Sequence, residues 1–87
     1  MLEGSITPQQ CRIARAAVGW SQVELADAAA VSRPTVQEFE RGARRPHWNH
    51  LIALRTALEG KGVRFIAVED GLQGLQYLPE GGGSAEG

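Results

Sequence analysis

Apolar side chains recur at intervals of three and four residues, the spacing of an amphipathic helix, through the first 60 positions of the chain. The pattern is clearest in the last of these stretches, where Leu51, Leu54 and Leu58 share one helical face. Glycine and proline interrupt the pattern where helices end or begin. The sequence therefore predicts four helices, over about 8–18, from 21 onward, over 33–41 and over about 47–59.

Three of the predicted helices begin at recognisable N-cap residues. Thr7 and Gln10 form a capping box, in which each side chain satisfies a backbone amide of the other residue. Ser21 and Glu24 form the same box at the start of the second helix. Ser32 is the expected N-cap of the third helix. The starts of these helices are therefore well specified by local sequence.

The third predicted helix has two faces of different chemistry. At about 100° per residue, Val36, Phe39 and Glu40 share one side. The opposite side, spanning roughly 140°, carries Arg33, Pro34, Gln37, Glu38 and Arg41. A short capped helix followed by a helix with one buried face and one polar, arginine-bearing face is typical of helix-turn-helix DNA binding. An ordinary helical hairpin in a small bundle is the alternative interpretation.

Beyond Gly60 the pattern changes from helical to extended. Residues 63–68 are rich in β-forming side chains, Asp70 and Gly71 give a turn signal, and residues 72–78 can return as a second strand. An isolated two-stranded hairpin is marginal in water. We therefore expect this hairpin to lie against the helices or to pair with another chain.

Two apolar patches are available to such a contact. Ile13 and Ala17 lie on the side of the first helix away from its core stripe, and Trp48 with Ile52 forms a second patch on the fourth helix. Packing within the chain and contact within a dimer both account for these patches.

Length and composition indicate one small domain. With 87 residues, 43% of them hydrophobic, the chain can bury a single modest core, so a homodimer is a reasonable expectation. The expected organisation is a flexible N-terminus over 1–5, a helical domain over 6–60, a hairpin and candidate dimerisation element over 61–78, and a disordered tail over 79–87.

The charge balance excludes a generic polycation but leaves room for a local basic surface. The formal net charge is −1, which is unusual for a protein that binds nucleic acid by charge alone. Positions 33–45 nevertheless contain four arginines, Arg33, Arg41, Arg44 and Arg45. A solvated charge run is the alternative to a binding surface.

The remaining reactive side chains do not indicate an enzyme. Cys11 is the only cysteine, which suits a reducing cytosol and a place in the core. His47 and His50 lack neighbouring metal ligands, and Ser21 and Ser32 fit better as caps than as nucleophiles. No apolar run is long enough to span a membrane, and the N-terminus lacks signal-peptide features. We expect a cytoplasmic protein without metal or cofactor.

Short motifs over 11–58 identify a family when they are taken in order. They are A-R at 14–15, G-W-S-Q at 19–22, E-L-A at 24–26, V-S at 31–32, F-E-x-G at 39–42, Pro46, and L-x-x-L-x-x-x-L at 51–58. Together they resemble the lambda-repressor-like, or XRE-type, helix-turn-helix family. The resemblance implies a mainly α fold, with a four-helix helix-turn-helix domain followed by a short C-terminal β-hairpin. The V-R-F-I segment at 63–66 is similar to that of small bacterial members that end in strands.

The resemblance also implies roles for individual residues. Gln22 matches a residue that contacts the DNA backbone, and Arg33 is the strongest candidate for reading a base, because a guanidinium can donate two hydrogen bonds to guanine. Arg15 and Glu40 match a partly buried ion pair between the first and third helices. The other positions implied to contact DNA are Ser32, Pro34, Gln37 and Glu38 at bases or nearby phosphates, and Arg41, Arg44 and Arg45 at the backbone.

Three residues depart from the family pattern. Ala30 stands where many relatives carry glycine, and it pays a steric cost if its φ is positive. Pro34 can offer only apolar contact, and Glu38 opposes phosphates, although it can accept from cytosine N4 or orient Arg33.

Two functions are consistent with these features. The first is a homodimeric transcriptional regulator that binds double-stranded DNA with helix 33–41 in the major groove. The alternative is a protein-binding antitoxin or antiactivator module on the same scaffold, which the net negative charge, Pro34 and Glu38 favour.

Overall fold

Six elements follow one another along the chain in the computed structural model, which describes residues 6–69 and 72–77. The helices and strands are α1 Pro8–Val18, α2 Gln22–Ala29, α3 Arg33–Glu40, α4 Trp48–Glu59, β1 Val63–Glu69 and β2 Leu72–Tyr77. The predicted fold class, four helices and a C-terminal hairpin, is confirmed. The helix boundaries differ by one residue where a cap flanks the helix: Ser21 and His47 are the N-caps of α2 and α4, and Arg41 is the C-cap of α3. Strand β1 runs one residue further than expected, to Glu69. The expected flexible N-terminus (1–5), the turn at 70–71 and the expected disordered tail (79–87) lie outside the described residues.

The predicted capping boxes are both formed. At the start of α1 the Thr7 amide donates to Gln10 Oε1 at 3.1 Å, and the Gln10 amide donates to Thr7 Oγ1 at 3.0 Å. At the start of α2 the Ser21 amide donates to Glu24 Oε1 at 2.8 Å, and the Glu24 amide donates to Ser21 Oγ at 3.1 Å. Local side chains thus satisfy backbone donors that a helix start would otherwise leave unpaired.

Left-handed residues end the first two helices and set the angles at which the chain continues. Gly19 closes α1 with a φ of 78°. Ala30 closes α2 with a φ of 59°, the conformation in which a Cβ atom is sterically penalised. The amide of the next residue, Val31, donates back to the carbonyl of Ala26 at 3.0 Å. The alanine therefore adopts a left-handed conformation that glycine adopts without steric cost.

The core lies where the four helices meet. α2 packs against α3 and α4, and α1 packs across the same two helices. The largest fully buried side chains are Leu25, Leu51, Leu54, Leu58, Val36 and Cys11. The leucine repeat that predicted α4 thus forms the face of α4 that is buried in the core.

The hairpin is antiparallel and packs on the helices of its own chain. Val63 pairs with Tyr77 and Phe65 with Leu75, and the pairing is irregular between positions 66 and 69. β2 lies against α1, while β1 lies against α4 and α1, with Val63 buried. Intrachain packing therefore accounts for the placement of the hairpin.

The two apolar patches are not fully covered by that packing. Ile13 keeps 48% of its surface exposed and Trp48 keeps 38%. Ala17 is also exposed, whereas Ile52 is half-buried. None of the helices in the described ranges is long and apolar enough to cross a membrane.

Candidate nucleic-acid interface

α3 is held by its apolar side and presents the other side to solvent. Val36 and Phe39 are buried in the core, whereas Arg33 and Pro34 are exposed. Ser32 caps the helix, since its Oγ accepts from the Thr35 amide at 3.2 Å and lies 2.7 Å from Thr35 Oγ1. The angular pattern read from the sequence thus corresponds to a real division between buried and exposed faces.

Glu40 is a buried carboxylate that ties α3 to the two preceding helices. Arg15 binds it with two parallel contacts, Nε to Oε2 and Nη2 to Oε1, both 2.9 Å. Gln22 Nε2 donates to Oε1 at 3.1 Å, and the Cys11 thiol donates to Oε2 at 3.2 Å. With 3% of its surface exposed, the Glu40 carboxylate has exchanged water for these four donors.

Burial and these hydrogen bonds together set the charge states of Glu40, Arg15 and Cys11. Burial acts to raise the pKa of Glu40, but the hydrogen bonds from Arg15, Gln22 and Cys11 outweigh it and leave the pKa below its ordinary value. The hydrogen bond to Glu40 raises the pKa of Arg15. Burial, followed by the charge of Glu40, raises the pKa of the Cys11 thiol. The ion pair is therefore charged, and the thiol is protonated, at neutral pH.

A groove of about 540 Å³ lies beside α3, toward α1 and the start of α2; we call it the α1-side groove. Arg15 also lines this groove and neutralises Glu40, so the remaining charges are the cations Arg12 and Arg41 and the anion Glu38. Its lining includes Arg12, Gln22, Gln37, Glu38, Glu40 and Arg41.

A second groove, of about 520 Å³, lies toward the start of α4; we call it the α4-side groove. Arg44 Nη1 contacts Glu38 Oε1 at 3.3 Å within it, with 73% of the arginine side chain exposed. The lining includes Pro34, Glu38, Arg44, Arg45, His47 and His50. Glu38 therefore lies between the two grooves, and each groove contains arginines.

The helical part of this architecture matches a known family. The family model described as a helix-turn-helix domain matches residues 9–64, from α1 into β1. The chain belongs to the helix-turn-helix domain family. This confirms the predicted helix-turn-helix family and is consistent with the resemblance to XRE-type proteins that the motifs indicated. A comparison with curated proteins found no significant match.

Within this helix-turn-helix domain, most residues predicted to contact DNA lie on or beside one face. Ser32, Arg33, Pro34 and Arg41 are exposed, while Gln37 and Glu38 are half-buried. Arg44 and Arg45 follow on the exposed loop before α4. Gln22 is half-buried, and its side-chain amide donates one hydrogen bond to Glu40. Among residues 6–69 and 72–77, Arg33, Arg41 and Arg45 form no ion pair.

Arg12 is a member of this surface that the sequence reasoning missed. It is exposed, it lines the α1-side groove, and its Nη1 donates to the backbone carbonyl of Glu40 at the end of α3. A signal for it existed, since Arg12 precedes Arg15 by three residues and so lies one turn earlier on the same side of α1. The family motif at 14–15 assigns a role to Arg15 but none to Arg12.

Proposed function

We propose that the protein is a transcriptional regulator that binds double-stranded DNA by inserting α3 into the major groove. The observation that carries this proposal is the exposed face of α3 between two arginine-containing grooves. A helix of about 10–12 Å diameter fits a major groove about 12 Å wide. Phosphates border that groove on both sides, so cations are needed on both sides of the helix.

Residue roles follow from position relative to α3. Arg33, at the first turn and without an ion pair among the described residues, is proposed to read guanine. Ser32, Pro34, Gln37 and Glu38 meet bases or nearby phosphates. The remaining contacts are to the sugar-phosphate backbone and are proposed for Gln22, Arg41, Arg44, Arg45 and, from the structure, Arg12.

Gln22 can serve both the fold and the DNA. Its Nε2 carries two hydrogens, and one is directed at Glu40 Oε1. The second hydrogen is available for a phosphate, and the Glu40 contact fixes the orientation of the amide. This supports the proposed contact because an amide that is already oriented loses little rotamer freedom on binding.

We also propose that the regulator acts as a homodimer, with two copies of α3 entering half-sites about one helical turn apart. The exposed Ile13 and Trp48 support this proposal, since a chain of this size gains stability by covering such side chains. The 61–78 hairpin is the other candidate dimerisation element.

The test is selection of bound fragments from random duplex DNA, followed by binding curves at several salt concentrations. Arg33→Ala should lower affinity for the selected sequence by about 1–3 kcal/mol and relax the preference at one position. Arg44→Ala should weaken all sequences alike and reduce the salt slope by about one. The exposed Arg64 on β1, which lines neither groove, is the matched control, and Arg64→Ala should leave binding unchanged.

Selection that enriches no sequence, together with a flat salt response, contradicts the proposal. Enrichment of inverted half-sites supports dimeric binding, whereas enrichment of a single unrepeated site argues against it. Both outcomes come from the same experiment.

A protein-binding antitoxin or antiactivator is the second candidate function. Exposure of Ile13 at 48% favours it, because the same surface can cover a protein partner instead of a second copy. The acidity of Glu38 favours it less, since Arg44 already pairs with that carboxylate. Purification from the native host with and without nuclease separates the two functions. A partner retained after nuclease treatment supports the protein-binding module, and loss of all associated material supports DNA binding.

A further inference from the structure

Both histidines of the chain lie in the α4-side groove. The sequence contains two, His47 and His50, and both line this groove beside Arg44 and Arg45. Their ring centroids are 6.3 Å apart at an angle of 61°. Histidine is the side chain whose charge changes between about pH 5 and 8. Both imidazoles of the chain therefore lie in one groove beside α3.

His47 also has a structural role at the start of α4. Its Nδ1 accepts from the Asn49 amide at 3.4 Å, which makes the imidazole the N-cap of α4. An imidazolium has hydrogens on both ring nitrogens and cannot accept this bond. A positive charge at a helix N-terminus is also unfavourable. Protonation thus removes the cap acceptor and places a charge at the unfavourable end of the helix.

The other charged groups in and near the groove determine which kind of ligand favours an imidazolium there. Arg44 and Arg45 come from the loop before α4 and repel an imidazolium, while Glu38 comes from α3 and already contacts Arg44 at 3.3 Å. The charged residues farther along α4, Arg55 and Glu59, pair with each other at 2.7 Å. A DNA phosphate in the groove would therefore supply the negative charge that favours protonation of both rings.

We propose that His47 and His50, together with Arg44 and Arg45, form a proton-dependent binding site for a phosphate of the DNA backbone. This inference rests on the proposed function. Because linkage is reciprocal, a phosphate that favours the imidazolium is itself bound more tightly when the ring is protonated. DNA binding should take up protons and strengthen on acidification.

The nearby Glu40 cluster does not produce the same effect. The pKa of Glu40 is held below its ordinary value, so its carboxylate remains ionised across the interval in which histidine titrates. The raised pKa of Cys11 keeps that thiol protonated. A proton linkage in this interval therefore points to the α4-side groove rather than to the cluster beneath α3.

The experiment measures the dissociation constant of the full chain for a rhodamine-labelled duplex of random sequence, at constant ionic strength, from about pH 7.5 to about pH 5.5. A proton bound ten times more tightly in the complex strengthens binding by up to about tenfold for each histidine. We expect the wild-type dissociation constant to fall by about tenfold or more over this range. The salt slope should rise by about one for each added phosphate contact.

The variant that isolates the effect is His47→Asn with His50→Gln. Asparagine is a good N-cap and does not titrate, so the start of α4 is preserved while the proton-dependent charge is removed. This double variant should bind with a nearly constant dissociation constant over the same pH range. His50→Gln alone should lose part of the dependence, and it keeps the test valid if the double variant folds poorly by circular dichroism.

Two controls separate this inference from the function on which it rests. Arg64→Ala should keep the wild-type pH profile, and Arg33→Ala should bind selected DNA more weakly while keeping the same dependence on pH. Binding that is independent of pH, or a double variant that retains the wild-type dependence, overturns the histidine proposal and leaves DNA binding standing. Absence of duplex binding at every pH overturns both proposals.

Discussion

Replacing Arg15 with methionine removes the guanidinium beneath α3 while keeping an unbranched side chain in its place. The Glu40 carboxylate, 3% exposed, would lose two of its four donors. Breaking a buried pair from one side typically costs about 3–5 kcal/mol, because the remaining charge is stranded. Arg15 is 22% exposed, so water can partly replace it, and we expect the lower end, about 3 kcal/mol. In a domain of this size the melting temperature should then fall by about 12–24 °C.

Urea unfolding followed by far-ultraviolet circular dichroism measures this loss. A double-mutant cycle with Glu40→Leu isolates the coupling, because removing both partners leaves no stranded charge. The Arg55–Glu59 pair on the surface of α4 is the matched control. Its 2.7 Å contact is shorter than those of Arg15, yet Glu59→Gln should cost well under about 1 kcal/mol because Glu59 is exposed to solvent.

The same variant should respond to pH with a definite sign. Because the pKa of folded Glu40 lies below its ordinary value of 4.5, the ionised carboxylate stabilises the wild type above that pH. This stability is lost as the pH falls through the folded-state pKa. Without Arg15, burial is opposed less strongly and raises the pKa of Glu40, so the carboxyl takes up a proton more readily. The penalty of Arg15→Met should therefore begin to shrink as the pH falls through the raised pKa of Glu40 in the variant, and should go on shrinking until the wild-type carboxyl is protonated as well.

Three results would refute this reasoning about the ion pair. They are a penalty below about 1 kcal/mol, additive effects in the cycle, and a penalty that does not change with pH. Each would mean that water or another side chain compensates the Glu40 carboxylate as well as Arg15 does.

Other predictions test the turns, the thiol and the α1-side groove. Ala30→Gly should raise the free energy of unfolding by about 1 kcal/mol, because it relieves a φ of 59°. Gly19→Ala should lower the free energy of unfolding by a similar amount, even though a Cβ atom at that position would meet nothing within 4 Å. Urea midpoints equal to that of the wild type would contradict both expectations. Alkylation of Cys11, which is fully buried, should follow the unfolded fraction as urea is added; labelling at the rate of a free thiol without urea would contradict its burial. Arg12→Ala should reduce the salt slope of DNA binding by about one without changing base preference, and an altered preference would place Arg12 at a base.

Local sequence determined the helices and their starts. Capping boxes and left-handed terminators act within about four residues, because they satisfy the backbone groups that a helix end leaves unpaired. Thr7, Ser21 and Gly19 were therefore interpretable without knowledge of the fold. The buried and exposed faces of α3 followed from the helical repeat, since Val36 and Phe39 are three residues apart and so lie on the same face of the helix.

Tertiary structure decided what surrounds α3. The two grooves exist because α1, the loop after α3 and the start of α4 come together around one helix, and no local spacing specifies that meeting. The contact of Arg12 with the Glu40 carbonyl spans 28 residues, and the Cys11 thiol reaches the Glu40 carboxylate across 29. The exposure of Ile13 likewise depends on where the hairpin packs against the helices. Backbone hydrogen bonding makes helices readable from neighbouring residues, whereas a binding surface is assembled by packing between residues that are distant in the chain.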